Sequence, residues 1–325
     1  MTTINRLRIA SITVLASTIS ILPIFVNANE VEIGFANRTM NGPYFNALTH
    51  HIEMAGEENG YKVYSTDARG DINKQVSDVE DLLSKGIKYL ILDPQDPLAG
   101  EKMTRIANSK GVQVITVDSH ISETAPVVTR VQPADEKNNV MIGEMAAKQF
   151  GDQEVKLALI SGNQGNLGGK IRRDNFINGV ISQQLRDHNE TRMQIVGQLW
   201  GNWDQIGGLK AMEDLLVSQP DLNAVYAEND DMALGAIRAI RASGKSFEEV
   251  RVYSYDGSKK GYQAIIDGQL QATAMNSPTE LSKKVIEVIN ALEKGETEFQ
   301  NYSRTKAVLV NKENVKQYYD ENAMF

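Results

Sequence analysis

From Val31 onward the sequence alternates short apolar runs with stretches of helical periodicity, and this alternation limits the fold more than any other feature. The runs are Val31–Ala36, Tyr61–Ser65, Tyr89–Leu92, Val114–Val117, Lys156–Ile160, Met193–Gly197, Ala224–Ala227, Val250–Tyr253 and Ala272–Met275. Each is strand-length, and many are rich in valine, isoleucine or tyrosine. Between them, Ile72, Val76, Val79 and Leu83 recur at helical spacing, with Gly86 as a stop. Ser277-Pro278-Thr279-Glu280 reads as an N-cap, a first-turn proline and an N3 glutamate, the pattern of a capping box. Leu281, Val285, Val288 and Leu292 then form a buried stripe that Gly295 closes. Asp230 is expected to cap a further helix ending near Gly244.

Runs this apolar, separated by helices, predict parallel sheets covered on both faces and joined by right-handed crossovers. The units fall into two sets, one from Val31 to about Arg130 and one beginning near Asp135 after the break Val131-Gln132-Pro133-Ala134. The expected fold class is therefore α/β, with two doubly wound parallel-sheet lobes and a short hinge between them. A length of 325 residues suits two such lobes, and a hydrophobic fraction of 41% is ordinary for a globular chain.

The N-terminus reads as an address. Arg6 and Arg8 give a basic start, Ile9–Val26 carries no formal charge, and Val26-Asn27-Ala28 fits a small-x-small cleavage site. Ser11, Thr13, Ser17, Thr18 and Ser20 dilute the stretch as a membrane anchor. Residues 1–28 are thus expected to be a cleavable secretory signal peptide, and with no cysteine after it a lipoprotein anchor is excluded. The absence of cysteine also removes disulfides, thiolate metal sites and cysteine nucleophiles. His50, His51, His120 and His188 are scattered, so no structural metal is expected. A formal charge of −8 repels phosphate backbones and makes nucleic acid a poor partner.

In an open parallel sheet, ligands bind beyond the carboxyl ends of the strands. Those ends are polar here. The first run leads through Asn37 and Arg38 into Asn41, Val114–Val117 ends at Asp118-Ser119-His120, and Ala224–Ala227 leads into Glu228-Asn229-Asp230. Val250–Tyr253 leads to Asp256, and Ala272–Met275 ends at Asn276. Solvation of a strand end accounts for any one of these equally well, but their recurrence describes an edge able to bond many hydroxyls at once. Of the two tryptophans, Trp200 is expected in the core, and Trp203, in a turn between Asn202 and a helix-capping Asp204, at a ligand. Tyr44 and Phe45 stand where the first helix begins. A sugar ring has apolar C–H faces and a hydroxyl rim, so flat aromatics on its faces and carboxylates around its edge are its physical complement.

Enzyme signatures fail one by one. The stretch Gly162-Asn163-Gln164-Gly165-Asn166-Leu167-Gly168-Gly169-Lys170 has Gln164 where a phosphate loop needs its first glycine, and Ile171 where it needs serine or threonine. No dinucleotide fingerprint follows the first strand, and no Gly-x-Ser-x-Gly occurs. No catalytic residue and no cofactor is expected.

These residues resemble the ribose-binding-protein branch of the type I periplasmic sugar-binding proteins over essentially the whole chain after residue 28. Asn41-Gly42-Pro43-Tyr44-Phe45 is similar to the family's Asn-Pro-aromatic-aromatic loop, and Val114-Ile115-Thr116-Val117-Asp118 to its ligand-binding strand end. Ala227-Glu228-Asn229-Asp230-Asp231-Met232-Ala233-Leu234-Gly235-Ala236 is the most specific signature, with Tyr255-Asp256-Gly257 at the usual interval. The resemblance implies that Tyr44 and Phe45 pack on one ring face and Trp203 on the other, while Asp118, Asn229, Asp256 and Asn276 bond the hydroxyls. Ser119 stands where the family carries an arginine, and the family's second-lobe arginine aligns with Lys170, with Arg172 and Arg173 close by. Serine and lysine cannot bridge two hydroxyls in a fixed fork. The ligand implied is then other than ribose: a different pentose or hexose, a polyol, or a furanose-like signal molecule, with His120 and Arg38 as candidates for the vacated space.

The family's connectivity implies three hinge crossings, expected near Gln132–Asp135, Asn276–Ser277 and Val308–Val310. Residues 29–134 and 277–308 would form the N-terminal lobe, and 135–276 and 309–325 the C-terminal one. The resemblance further implies a periplasmic solute carrier that closes on its guest and docks on the permease of an ABC transporter in the inner membrane. A carrier for a chemoreceptor, or for a quorum signal, would use the same clamp. A sugar-responsive repressor shares the core fold but needs a DNA-binding head where this chain has its signal-like segment.

Overall fold

The computed structural model describes residues 30–325, and the segment read as a signal peptide lies outside the described residues. The first half runs β1 (Val31–Asn37), α1 (Pro43–Glu58), β2 (Tyr61–Asp67), α2 (Ile72–Ser84), β3 (Tyr89–Leu92), α3 (Pro97–Ser109), β4 (Gln113–Val117) and β5 (Arg130–Gln132). The second runs α4 (Asp135–Phe150), β6 (Val155–Ser161), α5 (Leu167–His188), β7 (Met193–Trp200), α6 (Gln205–Ser218), β8 (Ala224–Ala227), α7 (Asp230–Ser243), β9 (Arg251–Tyr253), α8 (Lys259–Ile266) and β10 (Ala272–Ala274). After them come α9 (Pro278–Glu293), β11 (Tyr302–Arg304) and β12 (Leu309–Asn311). No described helix is long and apolar enough to cross a membrane.

Two six-stranded sheets result. The first has the order β2-β1-β3-β4-β5-β11, the second β7-β6-β8-β9-β10-β12, and only β12 runs antiparallel to its neighbour. Each is a doubly wound sheet. The order reverses between β1 and β3 in one and between β6 and β8 in the other, where such sheets open a crevice beyond their strand ends. Apolar cores cover both faces of each sheet: Leu48, Ile52, Leu281 and Val285 on one side of the first with Val79, Leu82 and Met103 on the other, and Phe176 and Val180 opposite Met212 and Ile237 in the second.

The chain passes from the first sheet to the second over residues 133–134, returns over 275–277, and passes again over 305–308. The third passage lies ahead of the expected Val308–Val310, because Leu309–Asn311 is already paired with β10. Asn138, fully buried near the start of α4, ties the passages together. Its Nδ2 donates to the Met275 carbonyl (3.1 Å), its Oδ1 accepts from the Val308 amide (2.9 Å), and the Met275 amide donates to the Val308 carbonyl (2.9 Å).

Local expectations differ from the structure at a few points. The stretch around Val131 read as a break is strand β5, and β11 and β12 carried no signal; each is three residues long, too short for any periodicity. Trp200, expected in the core, is 41% exposed because β7 is an edge strand of the second sheet. The cap of α7 is Asn229, whose Oδ1 accepts from the Met232 amide at 2.9 Å. Asp230 is buried one residue inside. It takes bonds from Ser254 (2.5 Å), the Ser258 amide (2.7 Å) and Thr273 (2.8 Å), and so braces three second-lobe segments.

Candidate ligand-binding cleft

A cleft of about 960 Å³ lies between the strand ends of the two sheets, near the upper end of the roughly 300–1,000 Å³ usual for small-molecule sites. From the first lobe it is lined by Arg38, Asn41, Tyr44, Phe45, Asp118, Ser119 and His120; from the second by Arg172, Trp203, Asn229 and Asp256. Asn276 enters from the second passage between the sheets, and Asp135 from the start of α4 just after the first. Ten of the eleven residues expected at the site therefore converge. Lys170 does not: it is exposed on α5 and paired with Asp174 one turn on. The second-lobe arginine that does line the cleft is Arg172, two positions along.

Arg172 is the centre of the second-lobe wall. Its Nη1 donates to the Glu228 carbonyl (3.0 Å) and to Asp256 Oδ1 (3.2 Å), and its Nε lies 3.4 Å from Asp135 Oδ1. The guanidinium sits 4.1 Å from the Tyr255 ring centre and 5.7 Å from that of Trp203, so it is stacked as well as paired. Burial opposes its charge, but Asp256 and Asp135 outweigh burial and hold it charged well beyond its ordinary range. Burial, then the nearby Asp230 and Asp118, raise the Asp256 carboxyl well above the usual range against the pull of Arg172.

Across the cleft, the Tyr44 hydroxyl donates to Asp118 Oδ1 at 2.5 Å. Asn276 Nδ2 donates to the same oxygen at 3.2 Å, and Asn276 Oδ1 lies 3.0 Å from the tyrosine hydroxyl. Tyr44 thus holds a carboxylate by its rim as well as offering a ring. Burial and then Asp118 raise its hydroxyl pKa well above 10, so it stays a donor. Arg38 donates to Gln95 (3.0 Å) and to the Ser119 hydroxyl (3.2 Å), and its guanidinium lies 5.8 Å from the Phe45 ring. An arginine therefore stands beside Ser119, supplied from the end of β1. His120 Nε2 is 3.5 Å from Asp135 Oδ2, and its Nδ1 is 3.2 Å from Gln132 Nε2.

Backbone strain fixes two of the carboxylates and the tryptophan. Asp118 (φ 58°) and Asp256 (φ 127°) both leave their strands in left-handed conformations, as do Asn202 (53°) and Trp203 (65°). Non-glycine residues hold such angles at a cost of order 1–3 kcal/mol each, typical of sites that need a side chain aimed. The glycine-rich stretch makes room for this. A Cβ on Gly162 would stand 1.9 Å from Trp203 Cε2, and one on Gly169 would stand 2.3 Å from Glu228 Oε2. Asn229 Nδ2 holds the turn by donating to the Trp203 carbonyl at 3.1 Å. With its Oδ1 capping α7, Asn229 is more a brace for Trp203 than the free hydroxyl partner expected.

Asp135 and Asp93 went unnoticed in the sequence. Asp135 looked like an ordinary helix-start acid, and Asp93 follows a fully buried strand. His120 Nε2, Asp135 Oδ1 and Arg172 Nε are buried without a close hydrogen bond to any described residue, with Asp135 between the other two as an ion-pair partner. Burial and then Asp118, against Arg38, push Asp93 up to about 8. The folded state therefore keeps a proton that the unfolded chain releases near pH 4, so this group makes stability fall with rising pH between about 4 and 8. Asp93→Asn is expected to remove that share, up to roughly 1.4 kcal/mol per pH unit. Urea unfolding at pH 5 and pH 8.5 checks it: the variant should gain on the parent at the higher pH, and parallel curves would contradict the assignment.

Two α/β lobes around a polar, aromatic-lined cleft define a solute-binding protein. Residues 33–297 match the periplasmic binding protein domain family, and the chain belongs to that family. It is similar to the ribose import binding protein of Bacillus subtilis, with 36% identity over 80% of this chain and 81% of that protein. It is also similar to the ribose import binding protein of Escherichia coli, with 30% identity over 83% and 88%. Among solved structures, an ABC transporter solute-binding protein from Mycobacterium smegmatis with bound glycerol superposes with a TM-score of 0.82 at 30% identity, covering 90% of this chain and 98% of that one. The chain is a binding protein of the ribose-binding-like type, not an enzyme.

Proposed function

We propose that the cleft binds one neutral monosaccharide or polyol and that the lobes close on it at the three passages, delivering it to the permease of an ABC importer. The observation that carries this is the division of labour across the cleft. Asp118 and Tyr44 come from one lobe, Arg172, Asp256 and Trp203 from the other, and Arg172 pairs with Asp135 at the start of α4, just beyond the first passage. Only a closed form lets one guest bond both sets, so binding shifts the population towards closure. Acidic groups outnumber the arginines at the wall, which disfavours an anionic guest.

The exclusion of ribose drawn from Lys170 and Ser119 loses its basis, since Arg172 and Arg38 bring two guanidinium forks to the cleft. Ribose therefore heads the candidates, supported by the names of the two relatives. Export through the N-terminal signal-like segment to the periplasm fits the same role. A thermal-shift screen of pentoses, hexoses and polyols tests it. A ligand at 100 times its Kd should add about 2.7 kcal/mol of stability, whereas a flat response across all three groups would count against the proposal.

A further inference from the structure

The last residues of the sequence reach the cleft. Val315 is buried in the second-lobe core, and Tyr318 and Tyr319 pack against it, so the segment is rooted in that lobe. Beyond them, Lys259 Nζ on α8 donates to the carbonyls of Ala323 (2.7 Å) and Glu321 (3.3 Å), and the Ala323 amide closes a turn on the Asp320 carbonyl (3.2 Å). Phe325 then lines the cleft and meets the Tyr44 ring edge-on, with centroids 5.2 Å apart and planes at 80°. Tyr44 belongs to the first lobe and holds Asp118. A segment anchored on one lobe thus touches the ligand-facing aromatic of the other.

We propose that Asp320–Phe325 is a strap joining the lobes, with Phe325 a further aromatic wall of the ligand site. Its ligand role rests on the sugar reading above. The edge-on contact spans the two lobes, so it favours the lobe spacing at which Tyr44 and Phe325 meet, even without ligand. Phe325 also extends the apolar surface of Tyr44 and Phe45, and so selects for guests with an exposed C–H face.

The chain has no cysteine, so Leu98→Cys on α3 and Ile206→Cys on α6, both well exposed and on opposite lobes, can carry spin labels. In the ligand-free protein, Phe325→Ala and deletion of Asp320–Phe325 should both shift the inter-label distance distribution to longer values, and Phe325→Tyr should leave it unchanged. Calorimetry with the sugar that stabilises best should give about a three- to tenfold rise in Kd for both disruptive variants. An unchanged distance distribution would overturn the strap. A fall in Kd would show Phe325 to be a plug that competes with ligand, and would also overturn it. If no sugar binds the parent protein, the sugar reading fails while the distance measurement still decides the strap.

Discussion

Replacing Arg172 by methionine is expected to weaken ligand binding about a hundredfold and to destabilise the fold by about 3–5 kcal/mol. Both effects follow from one position. The guanidinium stands between Asp135 and Asp256 in a wall where its own side chain is only 12% exposed. Removing it leaves two buried carboxylates facing each other without a cation, and Asp256, already held above its usual range by burial, would rise further. The cleft also loses the fork able to bond two adjacent hydroxyls. Arg172→Lys separates the two losses. A lysine keeps the charge and part of the stability but not the planar geometry, so its affinity should fall between parent and methionine variant. Calorimetry for Kd and urea unfolding for stability read them independently. A methionine variant that bound within threefold of the parent would remove Arg172 from the site.

The second large effect lies away from ligand, where α4 meets α5. A Cβ on Gly143 would stand 2.1 Å from the Phe176 carbonyl oxygen and 2.8 Å from the Val180 nitrogen. On the facing helix, a Cβ on Gly179 would stand 2.3 Å from the Val140 carbonyl oxygen. The obstacles are backbone atoms, which cannot rotate away, so the helices would have to separate. Gly143→Ala is expected to cost about 3 kcal/mol, at the upper end of overpacking penalties. The gain in helix propensity offsets less than about 1 kcal/mol of that. For a chain of this size the melting temperature should drop by about 5–10 °C. Because α4 begins at Asp135 and carries Asn138, part of the loss should appear in ligand affinity. Gly168→Ala, where the nearest atom to a new Cβ is the Asn166 side chain at 3.3 Å, is the mild control. Equal melting temperatures for Gly143→Ala and the parent would contradict the packing account.

What could be read in the sequence was what leaves a pattern. Tyr89–Leu92 and Ala224–Ala227 are strands at the positions their apolar runs gave, because a strand buried on both faces must be continuously apolar. Asp118, Asp256 and Asn276 were visible because a doubly wound sheet collects its chemistry at strand ends. Lys170 was misjudged for a geometric reason. Two positions along a helix turn a side chain by about 200°, so aligning the arginine two residues early took it from the cleft to solvent. A turn at Trp203 could be read from Asn202 and Asp204, but its left-handed geometry and the room that the glycine-rich stretch makes for the ring had no signature, because the clash avoided is between distant segments. Phe325 was invisible too: nothing local separates a phenylalanine in a tail from one that reaches Tyr44.

The most direct measurement is calorimetric titration of the purified protein with D-ribose, extended to the pentoses, hexoses and polyols of the thermal screen, in the parent, in Asp118→Ala and in Arg172→Met. A cleft that grips one guest from both sides predicts a single site per chain in the parent, and loss of most of the affinity whichever lobe is disabled. Binding that survived either substitution intact, or no binding of any of these compounds, would contradict it.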